Sequence, residues 1–252
     1  MNHFQALFHF DPNNAWCVGV ERERFIFDGS PVPVSRAIEV LNALPQDNRF
    51  GPELSACQLE DRVGPVDINQ LDHVLRANDQ EIHHACIATG LRTQFLEVAP
   101  EGMPIDVHQD SSGRYARIAA NIGPERLLAA CRVAGTHVHV GMPSADVALR
   151  VYNHVAPHWQ KLVKMGDHSQ GERLRLYRVV AGKAVPQGYS DWEAFEQHAE
   201  LAGFVNNPRD CWDLIRISAH GTIEFRVFGV TPHLSEILSW AHTCVDLCLQ
   251  VR

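Results

Sequence analysis

The sequence predicts a single α+β domain over residues 1–252, a mostly antiparallel sheet with helices packed on one face and the other face left to make a site. Three observations carry this expectation. Polar, ligand-type side chains recur at every second position in three segments: Glu21 and Glu23, His137 and His139, Glu224 and Arg226. That spacing puts each pair on one face of a strand. Segments 211–218 and 222–229 are separated only by Ala219, His220 and Gly221, which suits antiparallel neighbours. Long helical periods occur without regular strand–helix–strand alternation, and no repeat or low-complexity linker divides the chain.

Taken in order, WCVGVERERFIF (16–27) reads as a strand that ends at the Asp28-Gly29 turn. Ser35 is expected to cap a helix reaching Leu44, ahead of Pro45, and ELSACQLED (53–61) is extended. Asp67 caps a long helix with Ile68, Leu71, Leu75, Ile82 and Cys86 on its apolar stripe, ending at Gly90. RTQFLEV (92–98) is a second strand, and 99–113 is a loop rich in Pro, Asp, Ser and Gly, long enough to suggest a functional role. Pro124 opens a helix to Ala134. GTHVHVG (135–141) is a strand between two glycines, with His137 and His139 on one face and Thr136, Val138 and Val140 on the other. Ser144 caps a helix over 145–165 that Pro157 kinks, and GDHSQGER (166–173) is a polar loop. A capping box at Ser190-Asp191-Trp192-Glu193 opens a helix to Ala202. After the last two strands, Thr231 and Pro232 lead into a closing helix over 233–250.

The net charge is −8 and there is no dense Lys/Arg cluster, which argues against nucleic acid or an anionic membrane as partner. No apolar run approaches the roughly 18 residues of a spanning helix, and MNHFQALFHFDPNN lacks a secretory pattern. Seven scattered cysteines form no CxxC pair, so a reduced cytoplasmic setting is expected rather than a disulfide or zinc scaffold.

The faces opposite His137/His139 and Glu224/Arg226 are aliphatic or aromatic, so those polar faces are organised; ERER, charged on both faces, is the weakest of the three. Where the faces converge, Glu21, Glu23, His137 and Glu224 make a carboxylate-rich cluster with one imidazole and the Arg226 guanidinium nearby. Crowded carboxylates repel and take up protons unless a cation sits among them. Oxygen-rich ligation suits Mg²⁺ or Mn²⁺ rather than Zn²⁺, the imidazole inclining toward Mn²⁺. A divalent metal with an arginine is how enzymes neutralise a phosphoryl group in transfer.

GVERE, ELSACQLE, GTHVHVG, WDLIR and GTIEFRV also stand in a familiar order. From residue 16 to about 245 the chain resembles the glutamate–cysteine ligase type 2 family, carboxylate–amine ligases related to glutamine synthetase. The resemblance implies an antiparallel sheet curved into a funnel with helices outside. It implies Glu23, Glu53 and Glu60 as ligands of one metal, and Glu21, His137 and Glu224 as ligands of a second. It makes Arg226 the clamp on phosphate or acyl phosphate and Arg216 a contact to a substrate carboxylate; His139 takes no ligand role in it. It implies ATP as co-substrate, bound without a P-loop, and a small carboxylate and amine as partners, glutamate and cysteine first among them. The oligomeric state, a homo-oligomer included, is left open. GDHSQGERLRLYR replaces a longer family segment, and Gly229 stands where the family is usually acidic. Both departures fall where nucleotide and amine contacts are expected, so the acid and the amine are not fixed by the sequence. Two readings from other classes use the same residues: a metal-dependent amide hydrolase, and a non-catalytic relative that binds metal or nucleotide.

Overall fold

The computed structural model describes residues 3–110, 112–182 and 185–252. In chain order the elements are β1 (Val18–Phe27), α1 (Ala37–Ala43), β2 (Phe50–Pro52), β3 (Gln58–Val66), α2 (Leu71–Thr89), β4 (Arg92–Gln94), α3 (Arg114–Ile122) and α4 (Pro124–Arg132). There follow β5 (Thr136–Gly141), α5 (Ala145–Val155), α6 (Trp159–Gly166), α7 (Glu172–Ala181), α8 (Trp192–Ala202), β6 (Ile215–Ile217), β7 (Thr222–Phe228) and α9 (Leu234–Leu249). The strands form one open antiparallel sheet in the order β2-β3-β1-β5-β7-β6, with β4 paired to the end of β1.

Register decides what each face carries. Glu21 lies opposite Arg62 on β3 and His137 on β5, Glu23 opposite Glu60, and His139 opposite Glu224. Cross-strand partners share a face, so these side chains gather on one side of the sheet. Val18, Val20, Val138, Val140 and Phe225 point to the other side, where they join Ala148 and Val151 of α5 and Ile237 and Trp240 of α9 in the main core. Fully burying a side chain of this kind contributes about 1.5–3 kcal/mol. Cys244 and Cys248 lie in the same core, and the cysteines are free.

The second charged face of β1 has a structural explanation. Arg22 and Arg24 point to the helix side, where both are buried. Arg22 bonds Asp61 at 2.7 Å and Asp79 at 3.0 Å; Arg24 bonds the same two carboxylates at 2.8 and 2.6 Å. The alternation in ERER therefore separates a site face from a buried ion network that ties β1 to β3 and α2.

Several expected elements change. Only 92–94 of the expected 92–98 strand pairs with the sheet; beyond it the chain runs beside residues 132–134 through the isolated Val98–Val133 bridge. Ser35 does not cap α1; its hydroxyl donates to Asp106 at 2.7 Å instead. Asp191, not Ser190, is the cap of α8, accepting from the Ala194 N–H. At Pro157 the long helix breaks into α5 and α6 through a 3₁₀ turn rather than bending, since proline removes a donor from the ladder. The polar loop is only 167–171, after which α7 begins. The site face is also not bare: α7 and α3 bring Arg173, Tyr177 and Tyr115 to its rim, as the next contacts show.

Candidate active site

The site is built on the middle of the sheet. Glu21 and Glu23 come from β1, Glu60 from β3, His137 from β5 and Glu224 from β7, with Glu53 just after β2. The structure brings all six of these together. Ligand atoms of Glu23, Glu53 and Glu60 lie within 4.8 Å of one another, as do those of Glu21, Glu60 and His137, and those of Glu21, His139 and Glu224. The three groups share Glu21 and Glu60 and so form one continuous row. In the third group His139 stands where the resemblance puts His137. The physical reason is register: His139 faces Glu224 directly, whereas His137 sits in the irregularity between Thr136 and Val138.

Electrostatics follow the crowding. Burial, and then the charge of Glu53, pushes Glu23 up to about 8, against Arg226, the Gly135 N–H and Arg173. Burial with Glu21 and Glu53 raises Glu60 well above the usual carboxylate range. Burial also acts to raise Glu21, but His139 and His137 hold it well below that range. Burial and Arg226 lower His137 to about 4, so at neutral pH it is an uncharged imidazole of the kind that ligates metals. Its Nδ1 lies 3.1 Å from Glu21 Oε2, which leaves Nε2 facing Glu23 at 3.7 Å. His139 Nδ1 is engaged by the Thr222 hydroxyl at 2.9 Å, while its buried Nε2 faces Glu21 Oε2 at 3.5 Å.

Five clustered carboxylates, two of them pushed toward protonation, beside two imidazoles, fit a hard divalent cation of the Mg²⁺ or Mn²⁺ kind.

The arginines divide the work. Arg216 donates to Glu224 at 2.7 and 3.1 Å and to the Arg209 and Cys211 carbonyls. Most of its donors are thus engaged within the protein, chiefly in holding Glu224. Arg226 donates to Glu224 Oε1 at 2.6 Å and to the Tyr177 hydroxyl at 3.0 Å, with its guanidinium over the Trp212 ring. Both arginines hold Glu224 ionised against the effect of its burial.

Sequence reasoning missed Arg173, Tyr177 and Tyr115. Arg173, on the first turn of α7, is buried, and its guanidinium bonds the carbonyls of Ala134, Arg226 and Val227. Among the described residues it has no ion-pair partner, although it feels the charge of Glu23. Tyr177, four residues on, shares its helix face. That i, i+4 spacing inside ERLRLYRVV was the available signal. Tyr115 of α3 bonds the Pro52 carbonyl at 2.7 Å, near Glu53 and Glu60.

At the Glu21/His139 end of the row a cavity of about 330 Å³ opens, lined by Asn14, Gly19, Arg62, Gly64, His220 and Thr222 among others. Arg173 and Arg226 both act on the charge of Glu23, and Arg226 also reaches Glu224 at the Glu21/His139 end.

Residues 17–162 match glutamate-cysteine ligase family 2. The chain is 25% identical over 265 residues to the "Putative glutamate--cysteine ligase 2" of Gloeobacter violaceus, covering 96% of this chain and 69% of that one. It is 27% identical over 241 residues to the "Putative glutamate--cysteine ligase 2-3" of Rhodococcus jostii, covering 88% of this chain and 30% of that one. A Jannaschia protein named "Putative glutamate--cysteine ligase 2" is 25% identical, and the chain spans 63% of its length. Among solved structures, a bifunctional glutathione synthetase from Pasteurella multocida superposes with a TM-score of 0.56 at 14% identity, over 94% of this chain and 39% of that one. At that identity the likeness is one of fold. No helix is long and apolar enough to cross a membrane among the described residues.

Proposed function

Because the chain belongs to glutamate-cysteine ligase family 2, we propose that it joins a small carboxylic acid to an amine through an acyl phosphate, with ATP as phosphoryl donor. The observation that carries this reading is the row of carboxylates and imidazoles on one sheet face with Arg226 and Arg173 beside it. Glu23, Glu53 and Glu60 would hold one divalent cation, Mg²⁺ or Mn²⁺, and Glu21 and Glu224 another with His137 or His139. Bound there, the cations would shield the charge of the nucleotide phosphates.

The reaction asks for no protein nucleophile. A carboxylate oxygen attacks the γ-phosphorus and ADP leaves; the amine nitrogen then attacks the acyl carbon, phosphate leaves, and the nitrogen loses a proton. The protein's part is alignment and charge neutralisation. Arg226, fixed by Tyr177 and Glu224, presents a planar fork to the phosphoryl group. Arg173, buried with no ion-pair partner among the described residues, suits a substrate carboxylate or the departing phosphate. The cavity beside Glu21 and His139 suits the nucleotide, which puts the acid and amine at the Glu23 end.

Glutamate with cysteine is the first pair to try, in line with the names of the relatives. The test is ADP release across a panel of acids and amines, with the amide identified by mass. The reading requires ADP only when ATP, divalent metal and an acid are all present. Amide cleavage without ATP would establish a hydrolase instead, and metal-dependent nucleotide binding with no ADP from any pair would establish a binding protein.

A further inference from the structure

Behind Arg173, away from the acidic row, lies a carboxylate that the proposed chemistry does not use. Glu97 sits beyond β4, outside any strand, and is 7% exposed. Its Oε1 accepts the His168 N–H at 2.8 Å, and burial beside Asp167 and Ser169 raises its carboxyl above the usual range. The space it fills belongs to another residue: a Cβ added to Gly229, just past β7, would fall on the Glu97 carboxyl itself. Gly229 is further fixed by its N–H bond to the Gly166 carbonyl at 2.8 Å.

That carboxylate touches the segment that delivers Arg173. Residues 167–171 wind around Asp167, whose side chain accepts from the Ser169 and Gly171 N–H groups. The Ser169 hydroxyl in turn accepts the Arg173 N–H at 2.9 Å. Glu97 grips this loop at His168, and its charge also acts on the Arg173 guanidinium, which has no ion pair of its own among the described residues. Strand β7 supplies the Arg226 and Val227 carbonyls that Arg173 bonds, and Gly229 follows two residues later.

We infer that Glu97 is a positioning residue for Arg173, seated in a slot that Gly229 leaves open, and that the slot takes one carboxylate, from position 97 or from position 229. The inference rests on the ligase reading for the anion that Arg173 binds, but the slot itself does not depend on that reading. Two carboxylate-bearing side chains cannot share the space, because overpacking a filled interior forces neighbours out of place. One is needed because without it the buried Arg173 keeps only the more distant influence of the site, chiefly Glu23, and the loop that carries it loses its anchor at His168.

The experiment compares Glu97→Ala, Gly229→Asp and the double variant in the full chain, by thermal midpoint and by KM and kcat for glutamate in the ADP-release assay. Each single variant is expected to raise KM about tenfold or more, since small displacements of a positioning group are costly. The double variant should recover most of both the KM and the midpoint, because neighbouring changes in one slot are not additive. Glu97→Gln keeps the shape and loses the charge, and should raise KM with little change in midpoint. Additive losses in the double variant would overturn the inference, as would a wild-type KM in Glu97→Gln. If the wild-type chain releases no ADP with any acid, the ligase reading fails instead, and the midpoints of the three variants still decide the slot: recovery supports it and additivity overturns it.

Discussion

Glu224 on β7 and Arg216 on β6 face each other across the sheet edge and are joined by two hydrogen bonds, at 2.7 and 3.1 Å. With Arg226 on Oε1 as well, Glu224 is held by two guanidiniums, whereas Glu60 is paired with Arg62 alone among the described residues. Glu23, by contrast, is crowded by burial and by Glu53. The two should therefore respond oppositely to loss of charge. Glu224→Gln is expected to destabilise the metal-free protein by about 3 kcal/mol, since two buried guanidiniums lose their partner. Glu23→Gln should leave the metal-free midpoint unchanged or raised at pH 8, while removing most of the gain that Mn²⁺ gives the wild type. Thermal melts with and without Mn²⁺ check both, and equal losses for the two variants would refute the distinction.

Arg226→Ala is expected to lower ADP turnover by about 10²–10³ with a much smaller effect on Mn²⁺ binding, because a group aimed at developing charge acts in the transition state. Arg226→Lys should recover only part, since an ammonium cannot serve Tyr177, Glu224 and a phosphoryl oxygen in one plane. Steady-state kinetics beside Mn²⁺ titration provide the check.

The Arg22–Arg24–Asp61–Asp79 network predicts a stability effect far from the chemistry. Asp61→Ala should cost about 3–5 kcal/mol, because it strands two buried guanidiniums on Asp79 alone. Urea unfolding measures this directly, and a loss under about 1 kcal/mol, the range of a surface pair, would show that the network does not secure β1.

Burial pushes the Asp213 carboxyl up to about 6, against Arg216 and Cys211. A raised folded-state pKa contributes stability that is complete below the unfolded value near 4 and is lost as pH rises through 6. Asp213→Asn should therefore flatten the fall in stability between pH 4 and 6 by about 2–3 kcal/mol. Unfolding free energies at several pH values test the slope; a variant that keeps the wild-type slope would refute it.

Strand periodicity made much of this molecule legible from its residues. The period of two in VERER, THVHV and TIEFRV was enough to predict an antiparallel sheet and to group Glu21, Glu23, His137 and Glu224, because alternation is a local property of an extended backbone. It could not say what the second charged face of ERER does. That depended on Asp61 and Asp79, 37 to 57 positions away, arriving on the helix side. Nor could it choose which histidine faces Glu224, since the β5–β7 register beyond its irregularity is what pairs His139 with Glu224. The resemblance supplied Glu53 and Glu60, which spacing alone had not singled out. Arg173, Tyr177 and Glu97 escaped because they lie outside the strands that carry the acids, in a segment read as a polar loop, in a helix not foreseen, and in chain expected to be strand. Sequence by itself determined the faces, through short-range geometry. Tertiary structure decided the partners, because cross-strand register, the break at Pro157 and the space left at Gly229 are set by contacts between segments distant in the chain.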